Sequence, residues 1–190
     1  FAEFPENARC AKDLENIDFK PAKIPNSIFY NLIETGKIDE NDLFANPEKF
    51  DWVSKTPWIF KTDFKISRKQ LDSDKIELVF EGLDTVTIIW VNGKLIKRTK
   101  NMFIPHAIDV TAFLKPGQNH LMVKFESPVK YAKKQMQKYT QFSESDFRSP
   151  HRIYIRKAQY QFGTDFCPSL PGCGFHKTVK LNFIRKAAIK

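Results

Sequence analysis

Three cysteines, Cys10, Cys167 and Cys173, are too few and odd in number for a complete disulfide framework, so at least one is a free thiol or pairs with another molecule. A loop disulfide between Cys167 and Cys173 is compatible with the turn residues they flank, Pro168 and Pro171-Gly172, although idle or buried cysteines are the commoner case. There is no C-x-x-C spacing, and His106, His120, His151 and His176 fall in no ligand pattern, so neither a metal nor a cofactor is expected. No apolar run approaches the ~20 residues needed to cross a bilayer, and no charged-then-apolar leader precedes Phe1. A soluble domain with no membrane partner is expected. The chain opens on Phe rather than Met, which suggests a processed or excised piece of something larger and leaves export open.

Chemistry is as sparse as cysteine. Hydrolysis of a glycoside needs two carboxyl groups about 5 to 9.5 Å apart, one of them with a raised pKa. Glu34, Glu40, Glu48, Glu77, Glu81 and Glu126 all sit in amphipathic or turn-adjacent contexts that a solvated carboxylate explains. No Ser-His-Asp order, nucleophile elbow or phosphate-cradling glycine loop is present. Internal repeats and low-complexity segments are also lacking, and no stretch reads as an interdomain linker.

What is present is enough for one domain spanning 1–190: 42% hydrophobic and 14% aromatic residues supply a core. The formal charge of +9 arises from scattered Lys and Arg with no nucleic-acid motif beside them, so a solvated surface is expected rather than nucleic-acid binding. The densest basic stretch, Lys130 to Lys138, reads as a short amphipathic helix following Pro128 with its charges in solvent.

From Thr56 onward, short β-rich runs alternate with turns: Trp58 to Ile66, Lys75 to Phe80, Thr85 to Val91, Lys94 to Lys97, His120 to Phe125 and Lys177 to Ile184. Asn92-Gly93 marks a hairpin, because a type I′ turn needs positive φ at both central residues. Pro116-Gly117 turns the chain into a strand with Leu121, Val123 and Phe125 facing the core. Trp90, alternating with Ile88, is expected between layers. In the N-terminal third, Pro25-Asn26-Ser27 caps a helix through Ile28, Leu32 and Ile33 that ends at Gly36, and a loop-rich stretch follows to Phe50. The fold class is all-β: an antiparallel, jelly-roll-like β-sandwich with short helical insertions.

Residues 156–168 carry the densest functional signal, setting Asp165 among Tyr160, Phe162 and Phe166 in a turn-prone segment. A carboxylate accepts bidentate hydrogen bonds from adjacent hydroxyls, and aromatic faces pack on the C–H side of a pyranose. The competing reading is a turn Asp bonded to its own backbone, with core aromatics around it. Trp52 and Trp58 pose a similar choice between lining a groove and anchoring the sheet, and core packing is the commoner role.

The segment Arg156-Lys157-Ala158-Gln159-Tyr160-Gln161-Phe162-Gly163-Thr164-Asp165-Phe166-Cys167-Pro168 resembles the signature R-K-A-x-Y-H-F-G-W-D-W-G-P, which closes the N-terminal domain of family 2 glycoside hydrolases of the β-mannosidase type. The likeness runs through Ile24 to Leu32, Phe44 to Trp58, Phe80-Glu81-Gly82-Leu83-Asp84-Thr85-Val86, Val91-Asn92-Gly93, Asn101-Met102-Phe103, Asp109-Val110-Thr111 and Leu114 to Asn119, in order. The resemblance implies a galactose-binding-domain-like unit of an exo-acting, retaining β-mannosidase-like hydrolase. The partners it implies are a terminal β-mannoside or related sugar, and immunoglobulin-like and (β/α)8 barrel domains of the same polypeptide. Both catalytic glutamates would belong to the barrel, so this chain alone has no catalytic residue. Asp165 would contact the terminal sugar, with Thr164, Phe166, Asn101 and Trp58 as further candidate contacts.

The departures gather at that site. Thr164 and Phe166 stand where the family has Trp, Cys167 where it has Gly, and Gln161 where it has His; near the last strand, G-I-W-R-P appears as Gly174-Phe175-His176-Lys177-Thr178. Losing an indole beside the Asp reduces stacking surface. The alternative is therefore a stand-alone, non-catalytic carbohydrate-binding or protein-interaction sandwich. By analogy alone, a glycan-degrading enzyme belongs in the periplasm, extracellular space or lysosome.

Overall fold

A computed structural model describes residues 1–5, 17–139, 149–164 and 166–186. Among them the strands are β1 (Ala2–Glu3), β2 (Asn26–Ser27), β3 (Trp58–Ile66), β4 (Lys75–Phe80), β5 (Leu83–Asp84), β6 (Thr87–Val91), β7 (Lys94–Thr99), β8 (His106–Asp109), β9 (Gly117–Phe125), β10 (Gly174–Phe175) and β11 (Val179–Ile184). Helices α1 (Ile28–Glu34), α2 (Glu40–Ala45), α3 (Asp51–Lys55), α4 (Arg68–Leu71) and α5 (Pro128–Lys138) are inserted between them. A five-stranded sheet runs β1-β3-β9-β6-β7, and two three-stranded sheets run β11-β4-β8 and β2-β10-β5. Every strand pair in them is antiparallel, as the alternating pattern predicts for a sandwich.

Phe175 on β10 joins the layers. Its ring meets Phe60 of β3 edge-on at 5.2 Å and Phe125 of β9 at 5.1 Å, and it stacks on Phe80 of β4 at 6.3 Å. Edge-to-face packing sets the positive ring rim against a negative face and adds about 0.5–1.5 kcal/mol per pair beyond the area buried. Leu121, Val123 and Phe125 face this core as their alternation requires, all 7% exposed or less.

The hairpin forms where the sequence places it, with Asn92 at φ 50° and Gly93 at φ 77°. Helix α1 is capped as expected, Ser27 Oγ accepting from the Tyr30 amide at 3.3 Å, and Gly36 takes φ 69° beyond its end. Ser127 caps α5 by accepting from the Lys130 amide at 3.0 Å, with Pro128 in the first turn.

Two expectations are corrected. The stretch after Gly36 is not loop-rich: Asp39 caps α2 by accepting from the Asp42 amide at 2.9 Å, and Pro47 opens a 3-10 turn at Pro47–Phe50. Trp90 is not packed between layers, since it and Ile88 are half-buried on the outer face, whereas Ile89 and Val91 are fully buried. The neighbour decides this, because Ile89 and Val91 stand opposite Val123 and Leu121 of β9 and must share their face. Cys167 is exposed, Cys173 is buried and both are free thiols, so the loop disulfide does not form; Cys10 lies outside the described residues.

Candidate functional site

The segment that carries the Asp165 signature enters through a 3-10 turn at Pro150–Tyr154, after which Arg156 forms a parallel bridge with Asn101. Alternation then sends Lys157 inward. Its side chain is fully buried, its Nζ pairs with the Asp84 carboxylate, and it donates to the Gly172 carbonyl at 2.8 Å. Asp84, at the end of β5, also accepts from Gln161 Nε2 at 3.1 Å and from the Thr85 hydroxyl. Burial pulls the Lys157 ammonium below its ordinary pKa, and the Asp84 charge opposes that pull. The same burial pushes the neighbouring Cys173 thiol far up, which keeps it an un-ionised hydrophobe. The brace fastens β5, the 3-10 turn at Gln159–Phe162 and the Gly172 loop to one another.

Beyond the brace the chain turns tightly. Gly163 has φ 87°, and a Cβ there would lie 3.2 Å from both the Cys167 carbonyl oxygen and the Ser169 nitrogen, so glycine is required. The Thr164 amide donates to the Cys167 carbonyl at 3.2 Å, closing the turn, and the Leu170 amide donates to the Gln161 carbonyl at 3.0 Å. Thr164 is exposed, and Phe166 and Tyr160 are 90% and 70% exposed. Asp165 lies outside the described residues.

Asn101 is brought to the base of this segment by its bridge to Arg156, its Oδ1 accepting from the Phe103 amide at 2.9 Å. Trp58 is not brought there. Its ring is 1% exposed, it packs against Phe1 and Trp52, and its indole N–H donates to the Val53 carbonyl at 3.0 Å. A ring so enclosed offers a ligand no face, so Trp58 is an anchor of the core.

Beside the turn lies a hollow of about 270 Å³, bounded by Ser54 and Lys55 of α3, Lys133 of α5, His151, and Phe162 to Thr164. Two buried polar atoms within its wall residues, Ser54 Oγ and His151 Nε2, have no hydrogen-bond partner. Burial, seconded by the Lys133 charge, lowers the His151 pKa and favours the neutral imidazole, whose ring meets Phe162 edge-on at 5.7 Å. A neutral imidazole and a hydroxyl can each donate and accept, which suits a hydroxyl-bearing ligand better than an ion.

Sequence reading singled out the turn but missed its support. Asp84 lies in a segment read as framework, and Lys157, although inside the signature segment, was passed over in favour of Asp165. Ser54 and His151 gave no signal.

The antiparallel sandwich, with its aromatic-flanked turn ahead of β10, is of the galactose-binding-like class found in glycoside hydrolases. Residues 8–177 match the glycosyl hydrolase 2 galactose-binding domain-like family, and the chain belongs to it. It is 31% identical over 173 residues to a probable β-mannosidase of Caenorhabditis elegans and 33% identical over 168 residues to the β-mannosidase of Rattus norvegicus, each match covering 85% of this chain. The structure superimposes on the β-D-mannosidase of Dictyoglomus thermophilum with a TM-score of 0.85 at 35% identity, covering 91% of this chain and 21% of that one. The chain spans 19% of the length of the two curated relatives, in which this domain is one part of a larger polypeptide.

Proposed function

We propose that the domain is an accessory carbohydrate-binding unit of an exo-acting, retaining β-mannosidase-like hydrolase. It helps to form the pocket for the terminal sugar, while the catalytic glutamates lie on a barrel elsewhere in the polypeptide. The observation that carries this reading is the turn at residues 163–167, which a buried ion pair fastens to the sandwich and which borders a hydroxyl-suited hollow, with Phe166 exposed within it and Tyr160 exposed just before it. In this reading Asp165, between Thr164 and Phe166 in the sequence, accepts hydrogen bonds from sugar hydroxyls, and Asn101 supports the segment. Preorganised placement matters more than the number of contacts, because a site held by its own scaffold does not have to be ordered on binding.

The test is p-nitrophenol release from p-nitrophenyl β-mannoside by the protein carrying both this domain and the barrel. Asp165→Ala should lower kcat/KM by roughly 10- to 100-fold, the worth of charge-assisted hydrogen bonds to a hydroxyl. An unchanged kcat/KM would refute the role of Asp165. Glycan binding by the domain that depends on Asp165, in a protein without mannosidase activity, would replace the accessory role with that of a stand-alone binding module.

A further inference from the structure

Helix α5 has two flanks. One, with Val129 and Lys133, borders the hollow beside the signature turn; the other, with Lys130, Tyr131 and Lys134, borders a separate groove of about 470 Å³ against the outer face of β6 and β7. Three cationic side chains, Arg98, Lys100 and Lys134, converge on the second groove for geometric reasons. Arg98 stands opposite Ile88 across the β6–β7 ladder and so shares its outward face, and Lys100, two residues on, follows the same alternation. Lys134 reaches the groove from the side of α5 that it shares with Tyr131, three residues before it. Among the described lining residues the one carboxylate is Glu126, which Lys124 engages at 3.0 Å. Between the charges lies a floor of Pro57, Val86 and Ile88, with the half-buried ring of Tyr131 beside it.

We infer that this groove binds a phosphate- or sulfate-bearing carbohydrate. The Arg98 guanidinium presents the planar fork that grips an oxyanion in two parallel hydrogen bonds, and the lysines add point charges around it. The apolar floor and Tyr131 take the C–H face of the attached ring. The groove accommodates a ring with one charged substituent; a nucleic acid would need a basic track that follows successive phosphates. Nothing in this inference requires the turn at residues 163–167, so the groove and the mannoside site stand or fall separately.

Titration calorimetry on the protein with glucose 6-phosphate, glucose 6-sulfate, glucose, inorganic phosphate and a single-stranded oligonucleotide tests it. The charged sugars should bind saturably, glucose should not, and affinity should fall as ionic strength rises. Arg98→Gln with Lys134→Gln should weaken binding roughly 10-fold or more, whereas Lys65→Gln with Lys94→Gln, the same loss of charge away from the groove, should not. All four residues are exposed, so folding should survive, as circular dichroism would verify. The inference is overturned by no saturation up to about 10 mM, a Kd too weak to mark a site. Equal weakening by both charge-loss pairs would overturn it too, as would inorganic phosphate binding as tightly as the sugar phosphate. Tighter, steeply salt-dependent binding of the oligonucleotide would assign the groove to nucleic acid instead.

Discussion

A lysine ammonium with no exposed surface persists only where a counter-charge and further acceptors replace its water, and Lys157 has both in Asp84 and the Gly172 carbonyl. Breaking one half of such a pair strands the other. Lys157→Met leaves the Asp84 carboxylate with the neutral Gln161 amide and Thr85 hydroxyl as its hydrogen-bond partners among the described residues, and Asp84→Asn leaves an ammonium without its anion; each single change should cost about 3–5 kcal/mol. The pair Lys157→Met with Asp84→Leu should cost less than the sum, because neither buried charge remains. A double-mutant cycle in urea measures this directly. Strict additivity would show that the two groups do not act as a pair, and the turn at residues 163–167 would then need another source of rigidity.

At the scale of elements, Asn119 is the corresponding constraint. It is fully buried at the start of β9; its Oδ1 accepts from Asn92 Nδ2 at 2.8 Å and from the Lys115 amide at 3.0 Å, and its Nδ2 donates to the Lys115 and Gly117 carbonyls. Asn92 in turn accepts from the His120 amide at 2.9 Å, so the β6–β7 hairpin, the turn before β9 and β9 itself are held by two side-chain amides. Asn119→Ala should cost about 2–4 kcal/mol, seen as a lower urea midpoint at unchanged slope, since several buried partners lose their hydrogen bonds at once. A loss under about 0.5 kcal/mol would mean that the turn holds without it. Elements legible in the sequence were those with local causes: the Asn92-Gly93 hairpin, the Ser27 cap, the helix after Pro128 and the alternation along β9. The outward face of Trp90 was not legible, because β9 and not β6 decides which side of the ladder is buried. Likewise Lys157 and Asp84 lie 73 residues apart and become a pair only when β5 and the signature segment meet. At the candidate site, composition and turn chemistry located the turn, but the two unpartnered atoms beside it, on Ser54 and His151, come from helical and loop segments with no shared pattern.

For the whole molecule, titration has one sign from neutrality downward. Burial is the main cause that lowers the pKa of His106, His151 and His176, with Lys97, Lys133, and Lys177 and Lys157 respectively adding repulsion; a hydrogen bond to the Asn101 backbone opposes this at His106 and the Asp84 charge opposes it at His176. A group whose protonated form is disfavoured by folding takes its proton more readily in the unfolded chain. Stability is therefore complete above the unfolded imidazole pKa of about 6.5 and is lost as pH falls from there toward the depressed folded values. Below that window the carboxylates act in the same direction. Lys49 and Lys180 hold Asp42 and Glu81 below the ordinary range, and His120 and Thr111 do so for Asp63 and Asp109, so their contribution is lost as pH falls through about 4. The thermal midpoint should be level from pH 8 to 7, decline between about 6.5 and 5, and drop further near 4. Replacing all three histidines by Gln should flatten the upper decline and leave the lower one, whatever the variant's absolute stability, because the slope reports only the difference in bound protons. A midpoint that rises between pH 7 and 5.5 would mean that these imidazoles gain protons on folding, and the neutral His151 required for hydroxyl recognition in the hollow would be lost with it.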